Sequence, residues 1–250
     1  MIGETPASTT ALAESVLKKI RAALHGEPRL ELDRYPIKVT AEGGVPVLTG
    51  EVASVAAKKL ALGRAAATGG VTGLIDRVRV KPASAMGDRE IRDHLLRALM
   101  QEPAFQEFAL RVRDRNEIES FRETAPNRRG AIELSVADGV VTLSGELPGL
   151  GGKRLAGVLA WWVPGSRDVI NGIAIEPPEA DNDDEIADAV RLALEKDPFV
   201  NAAQIRVGCR DSTVVLAGLV ASASERDMAE FDAWYVFGVD RVDNRLEPRP

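Results

Sequence analysis

The chain has 250 residues, 45% apolar and 28% charged, enough for one large domain or two to three small ones with modest cores. Only 4% are aromatic, so the cores must be aliphatic and alanine-rich, and the formal charge of −6 counts against nucleic acid as the main partner. The single cysteine, Cys209, excludes an internal disulfide framework and a cysteine-built metal site, and two histidines leave little for histidine catalysis. No stretch approaches the roughly 18 apolar residues of a membrane span. Met1 to Ala11 is polar, without a basic and then apolar leader pattern. This start predicts a cytoplasmic protein, with a periplasmic location as the alternative.

From the beginning of the chain, Val16, Ile20 and Leu24 recur in steps of four on one helical face, and Glu27-Pro28 ends that helix. An alternating strand follows (Ile37, Val39), then a second running into Gly50. A helix with Ala61 and Ala65 leads to Gly70, and a last strand carries Leu74 and Val78. The same series then repeats. Ile91, Leu95 and Leu99 precede Glu102-Pro103. Ile132, Leu134 and Val136 precede Thr142-Leu143-Ser144-Gly145, followed by Ala156, Ala160, Gly165, Val169 and Ile173. In the third copy Ile186, Val190 and Leu194 precede Asp197-Pro198. Ile205, Val207 and Cys209 alternate before Val215-Leu216-Ala217-Gly218, and Ala229, Ala233, Gly238, Val242 and Leu246 complete it. The paired glycines are 20 residues apart in all three copies. Self-similarity at fixed spacing is the signature of an array. The prediction is α+β: three small αββαβ modules at 11–82, 88–176 and 182–248, each a three-stranded mixed sheet with two helices on one face.

This pattern resembles the BON family, the bacterial osmotic-induction and nodulation domain. Module 3 carries the resemblance in Asp184-Glu185-Ile186, Asp197-Pro198, Val214 to Gly218, Gly238-Val239, Val242, Asn244 and Leu246. Module 2 carries it in Val140 to Gly145 and in Val169, Asn171 and Ile173. Module 1 is the most divergent, with Pro46 in its second strand and Asp76 where the others have Asn171 and Asn244. The resemblance implies phospholipid or membrane-surface interaction, with a link to osmotic and other stress responses. A protein–protein scaffold that binds no lipid is the alternative.

The modules differ in three ways. Module 2 has roughly 20 extra residues within 106–131. Arg111, Arg113, Arg115, Arg122, Arg128 and Arg129 there are opposed by Glu107, Asp114, Glu117, Glu119 and Glu123. This mixed charge predicts a solvated helical excursion, with a binding arm as the other reading. Charge also falls along the array: 12 basic and 7 acidic residues in module 1, 12 and 14 in module 2, 7 and 14 in module 3. Lys18, Lys19, Arg21, Lys58, Lys59 and Arg64 are the candidate basic surface for an anionic phospholipid, unless they are solvated or meet the acidic module 3. Finally, the second helices of modules 2 and 3 are apolar on two faces. Opposite the alanines lie Leu155, Val158 and Trp162, and Met228, Phe231 and Tyr235, with Trp161 and Trp234 on the flank. With the alanines on the sheet, these eight residues are the candidate lipid or partner contact. The reverse orientation would make them core.

Enzyme chemistry is not supported. Gly149 to Lys153 resembles a phosphate loop, but Leu147 and Arg154 stand where that loop needs glycine and a hydroxyl residue. His94 reads as a solvated helix residue, His25 as a helix-end histidine, and Cys209 as a packing residue. No nucleophile, base and orienting group assemble with repeat support, so a non-enzymatic protein without cofactor or metal is predicted. Oligomeric state is not legible.

Overall fold

A computed structural model describes residues 6–115, 117–124 and 130–249, with side chains from residue 14 onward. The chain forms two compact units, 1–81 and 82–250.

The first unit contains α1 (Pro6–His25), β1 (Ile37–Glu42), β2 (Val45–Val52), α2 (Val55–Ala66) and β3 (Ile75–Val80). β1 pairs antiparallel with β2, and β2 parallel with β3. Ile20 and Leu24 of α1, Leu48 and Val52 of β2, Ala61 and Ala65 of α2, and Val78 of β3 are all at most 1% exposed. The helix steps of four and the strand steps of two therefore bring their apolar residues to one shared layer. Alanines let α2 lie close on the sheet.

The second unit holds two further copies. The first runs α3 (Asp88–Gln101), β4 (Ala109–Asp114), β5 (Glu117–Arg122), β6 (Ala131–Ala137), β7 (Val140–Leu147), α4 (Leu150–Trp161), β8 (Asp168–Asn171) and β9 (Ala174–Ile175). The next runs α5 (Asp183–Lys196), β10 (Ile205–Arg210), β11 (Thr213–Val220), α6 (Ala223–Tyr235) and β12 (Arg241–Pro248). Its sheet order is β10-β11-β12, antiparallel then parallel, as in the first unit. α3 and α5 stop where expected. Glu102 and Asp197, each before a proline, are extended because the ring disfavours the helical conformation there.

The insert corrects one expectation. It forms a β-hairpin, β4 and β5, where a helical excursion was predicted, and β4 lies parallel to β6. With β9 paired to β7, the module 2 sheet has six strands where three were expected. Leu110 and Val112 point into the core while Arg111 and Arg113 alternate outward, which is strand periodicity. Arg122 donates to the backbone carbonyls of Phe105 (2.8 Å) and Phe108 (3.0 Å), tying β5 down. Charged residues along this edge strand discourage further pairing. Arg128 and Arg129 lie outside the described residues.

Two polar contacts recur between copies. Asp88 accepts from Asp138 N and Gly139 N at the β6–β7 turn. Asp183 likewise accepts from Asp211 N and Ser212 N at the β10–β11 turn. Each thus locks the start of a helix to a hairpin tip. In the second contact, Asn171 Nδ2 donates to the Lys153 carbonyl (2.7 Å) and Asn244 Nδ2 to that of Arg226 (3.2 Å). Asp76 cannot donate. In its place the Lys58 ammonium reaches both Asp76 (2.8 Å) and the Val78 carbonyl (2.7 Å). The Asp-for-Asn departure of module 1 is thereby matched by a buried lysine.

Candidate functional site

Side chains from both copies of the second unit converge where α4 meets α5 and α6. The Trp161 and Tyr235 rings stack with centroids 6.0 Å apart and planes 13° from parallel. Trp162 Nε1 donates to Asp232 Oδ1 at 2.8 Å. Arg154 is fully buried; its Nε donates to the Phe237 carbonyl (3.0 Å) and Nη2 to Asp181, while Nη1 has no partner. The Lys153 ammonium lies 5.0 Å from the centre of the Phe237 ring. Lys196 Nζ bridges both carboxylate oxygens of Glu102, at 3.0 and 2.9 Å. Aromatic stacking and charge-assisted hydrogen bonds thus hold α4 against the next module.

These positions revise the predicted stripe. Trp161, Trp162 and Tyr235 meet one another's module, Met228 is half-buried, and Phe231 remains 43% exposed. Leu155 and Val158 are buried, and Leu155 belongs to the core cluster of module 2. Trp234 is 1% exposed, a core residue of module 3 and not a flank contact. The cause is that α4 is enclosed on more than one side, so its alanine and large-residue stripes are both covered. Asp232 and Lys196 escaped the sequence reading, which took Asp197 only as a helix end and Arg154 only as a departure from the phosphate loop. A signal existed for Asp232: six residues before the second glycine the three copies carry Arg64, Leu159 and Asp232.

The predicted basic surface is narrower than expected. Lys58 is buried and paired with Asp76, so it is structural. Arg64 binds Glu27 (2.9 Å), a buried carboxylate that Arg29 also holds at 2.7 Å. Hydrogen bonds from Arg29 and Arg64 outweigh burial and hold Glu27 down at about 2. Arg21 bonds Glu14 and the Val39 carbonyl. Lys59 is half-buried with a partner of its own. Lys18 and Lys19 are exposed on α1.

At the phosphate-loop-like segment, the N–H of Leu150 donates to Glu179 Oε2 at 2.7 Å. A carboxylate therefore takes the place an anion would occupy at the start of α4. His25 and His94 are both exposed. Cys209 is half-buried and donates to Asp183 Oδ1 (3.4 Å). Burial, then Asp183, pushes its thiol up to about 12. At pH 8 the native thiol should react with a disulfide reagent at least roughly 100-fold more slowly than in denaturant. Equal rates in the two states would refute the half-buried, Asp183-bound thiol. Among the described residues no group of three or more His, Cys, Asp or Glu could hold a metal ion. None of the described helices is long and apolar enough to cross a membrane.

Comparison with known proteins follows the repeat. Residues 13–82, 120–177 and 182–250 each match the family model for the BON domain. The second match begins inside β5, within the insert that separates α3 from the rest of its module. A comparison with curated proteins finds no match. Among solved structures, the C-terminal domain of CdsD, a structural protein of the Chlamydia trachomatis type III secretion system, aligns at 16% identity. The alignment covers 94% of this chain and 98% of that one, with a TM-score of 0.24. A second CdsD structure from the same organism aligns at 17% identity over 94% and 93%, with a TM-score of 0.23.

Proposed function

Because the chain belongs to the BON domain family, as three tandem copies, we propose that it is a non-catalytic binding protein whose first module engages an anionic phospholipid surface. BON domains are generally non-catalytic binding domains. The observation that supports a lipid-facing first module is charge segregation: 12 basic against 7 acidic residues in 11–82, within a chain whose total is −6. The exposed pair Lys18 and Lys19 on α1 is the centre of that surface. Each basic residue near an anionic membrane contributes about 1 kcal/mol, within reach of a Debye length of about 10 Å at 0.1 M salt. A role in osmotic or other stress response, in the cytoplasm or the periplasm, goes with this reading.

The alternative, a protein–protein scaffold, draws support from the aromatic residues. Trp161, Trp162 and Tyr235 contact protein in the second unit, which removes them from the set available to lipid.

Co-sedimentation with phosphatidylcholine vesicles, with and without phosphatidylglycerol, separates the two. We expect binding only to the anionic vesicles, weakening as salt rises. Lys18→Glu with Lys19→Glu should lose most of it. Absence of sedimentation at low salt, or equal binding to neutral vesicles, would sink the lipid reading.

A further inference from the structure

Two repeat positions recur in every copy, and the chemistry at the pair changes from module to module. One is the acidic residue before the proline: Glu27, Glu102 and Asp197. The other is the residue six before the second glycine: Arg64, Leu159 and Asp232. In module 1 the pair is an ordinary ion pair, Glu27 with Arg64. In module 2 Leu159 offers no charge, and Glu102 takes Lys196 from the next module. In module 3 the pair is two carboxyls, Asp197 and Asp232, and Asp232 is only 2% exposed.

A carboxyl as buried as Asp232 cannot stay ionised at small cost beside a second carboxyl. Asp232 Oδ1 accepts the Trp162 N–H, while its buried Oδ2 receives no hydrogen bond. A proton on Oδ2 resolves both difficulties. It removes one charge and gives Asp232 a donor toward the neighbouring Asp197. We propose that Asp197 and Asp232 form a proton-binding site at the seam of modules 2 and 3, and that the bound proton, by removing a buried charge, favours the packing of α4 against α6.

The surrounding groups favour this assignment. From α4 the facing group is the neutral indole of Trp162, with Trp161 stacked on Tyr235 beside it. From the end of α5 come Asp197 and Lys196, whose ammonium is held by Glu102 at the end of α3. On α6 itself, Glu230 is engaged by Asn244 and Trp234. Burial, and then the charges of Asp232 and Asp197, push the Tyr235 phenol up to about 12, so it stays neutral. Burial chiefly raises Asp232 to about 8; the Trp162 N–H pulls it down and the Asp197 charge pushes it up again.

The sign follows from linkage. An unfolded aspartate titrates near 4, so the folded chain binds the proton more tightly than the unfolded one. The stability this adds is complete below about pH 4 and lost as pH rises through about 8. Alkaline shift should therefore loosen the seam.

Indole N–H resonances of the 250-residue chain between pH 5 and 9.5 test the site. The Trp162 signal should shift with a midpoint near 8, and acrylamide quenching of tryptophan fluorescence should rise across the same interval. Asp232→Asn keeps the shape and the acceptor for Trp162 but cannot ionise, so both changes should vanish. Asp197→Asn removes the neighbouring charge and should lower the midpoint without abolishing it. A wild-type midpoint below pH 5, or one left unmoved by Asp197→Asn, would overturn the proposal. So would a Trp162 titration that persists in Asp232→Asn.

Discussion

Gly218→Ala should unfold module 3, and Gly145→Ala module 2, each costing at least about 3 kcal/mol. Both glycines lie in the second strand of a copy, where the start of the preceding strand crosses close above. At Gly218 φ is +152°, and an added Cβ would lie 2.0 Å from the Gln204 carbonyl oxygen. At Gly145 φ is +110°, with the Ala131 carbonyl oxygen 2.2 Å away. Neither obstacle is a side chain that can swing aside. Both are backbone atoms at or just before the start of the paired strand, so relief means breaking the ladder at Ile205↔Gly218 or Ile132↔Gly145. The left-handed or near-mirror backbone at these positions adds strain for any L side chain. Thermal melts check this: a drop of at least about 6–12 °C in the affected transition is expected, taking roughly 2–4 °C per kcal/mol. Alanine variants that melt within about 3 °C of wild type would contradict the close approach.

Those glycines also mark how far a single sequence reaches. Each lies 20 residues before a second glycine, a spacing that exposed the repeat, and the repeat predicted the order of elements, because periods of 3.6 and 2 survive in each copy separately. The physical reason for the glycines was hidden, since it lies in a carbonyl from another strand. The insert was misread for a related cause. Leu110 and Val112 alternate with Arg111 and Arg113, a strand pattern, yet only two apolar residues carry it amid the charges. β5 has almost no buried face to betray it, and pairing with β4 makes it a strand. At the candidate site, Trp161, Trp162 and Tyr235 were legible as residues in need of a contact. Asp232 was not, because one charged residue on a helix reads as solvated until a neighbouring module covers it. Lys58 misled in the same way: its place in the fold depends on Asp76, where the other copies have an asparagine.

Arg154→Ala should destabilise the second unit by about 3–5 kcal/mol, whereas Arg154→Met should cost less than half as much. Arg154 is 0% exposed, and its guanidinium spans from α4 to the Phe237 carbonyl and Asp181, joining module 2 to the residues around module 3. Truncation to alanine removes these bonds, leaves the Phe237 carbonyl without its donor, and opens a side-chain-sized void. Methionine refills most of that volume with a flexible apolar chain. It also relieves a cost already present, because Nη1 is buried without any partner. Asp181 is 39% exposed at its side chain and can rehydrate once the guanidinium is gone, so the charge left behind is not stranded. The Phe237 carbonyl still loses its donor, which keeps methionine from being neutral. Denaturant unfolding followed by tryptophan fluorescence reads all three proteins, since Trp161 ends the same helix and Trp162 caps it. If methionine costs as much as alanine, the guanidinium hydrogen bonds, not packing, hold the modules together here. If alanine costs under about 1 kcal/mol, Arg154 does not join them at all.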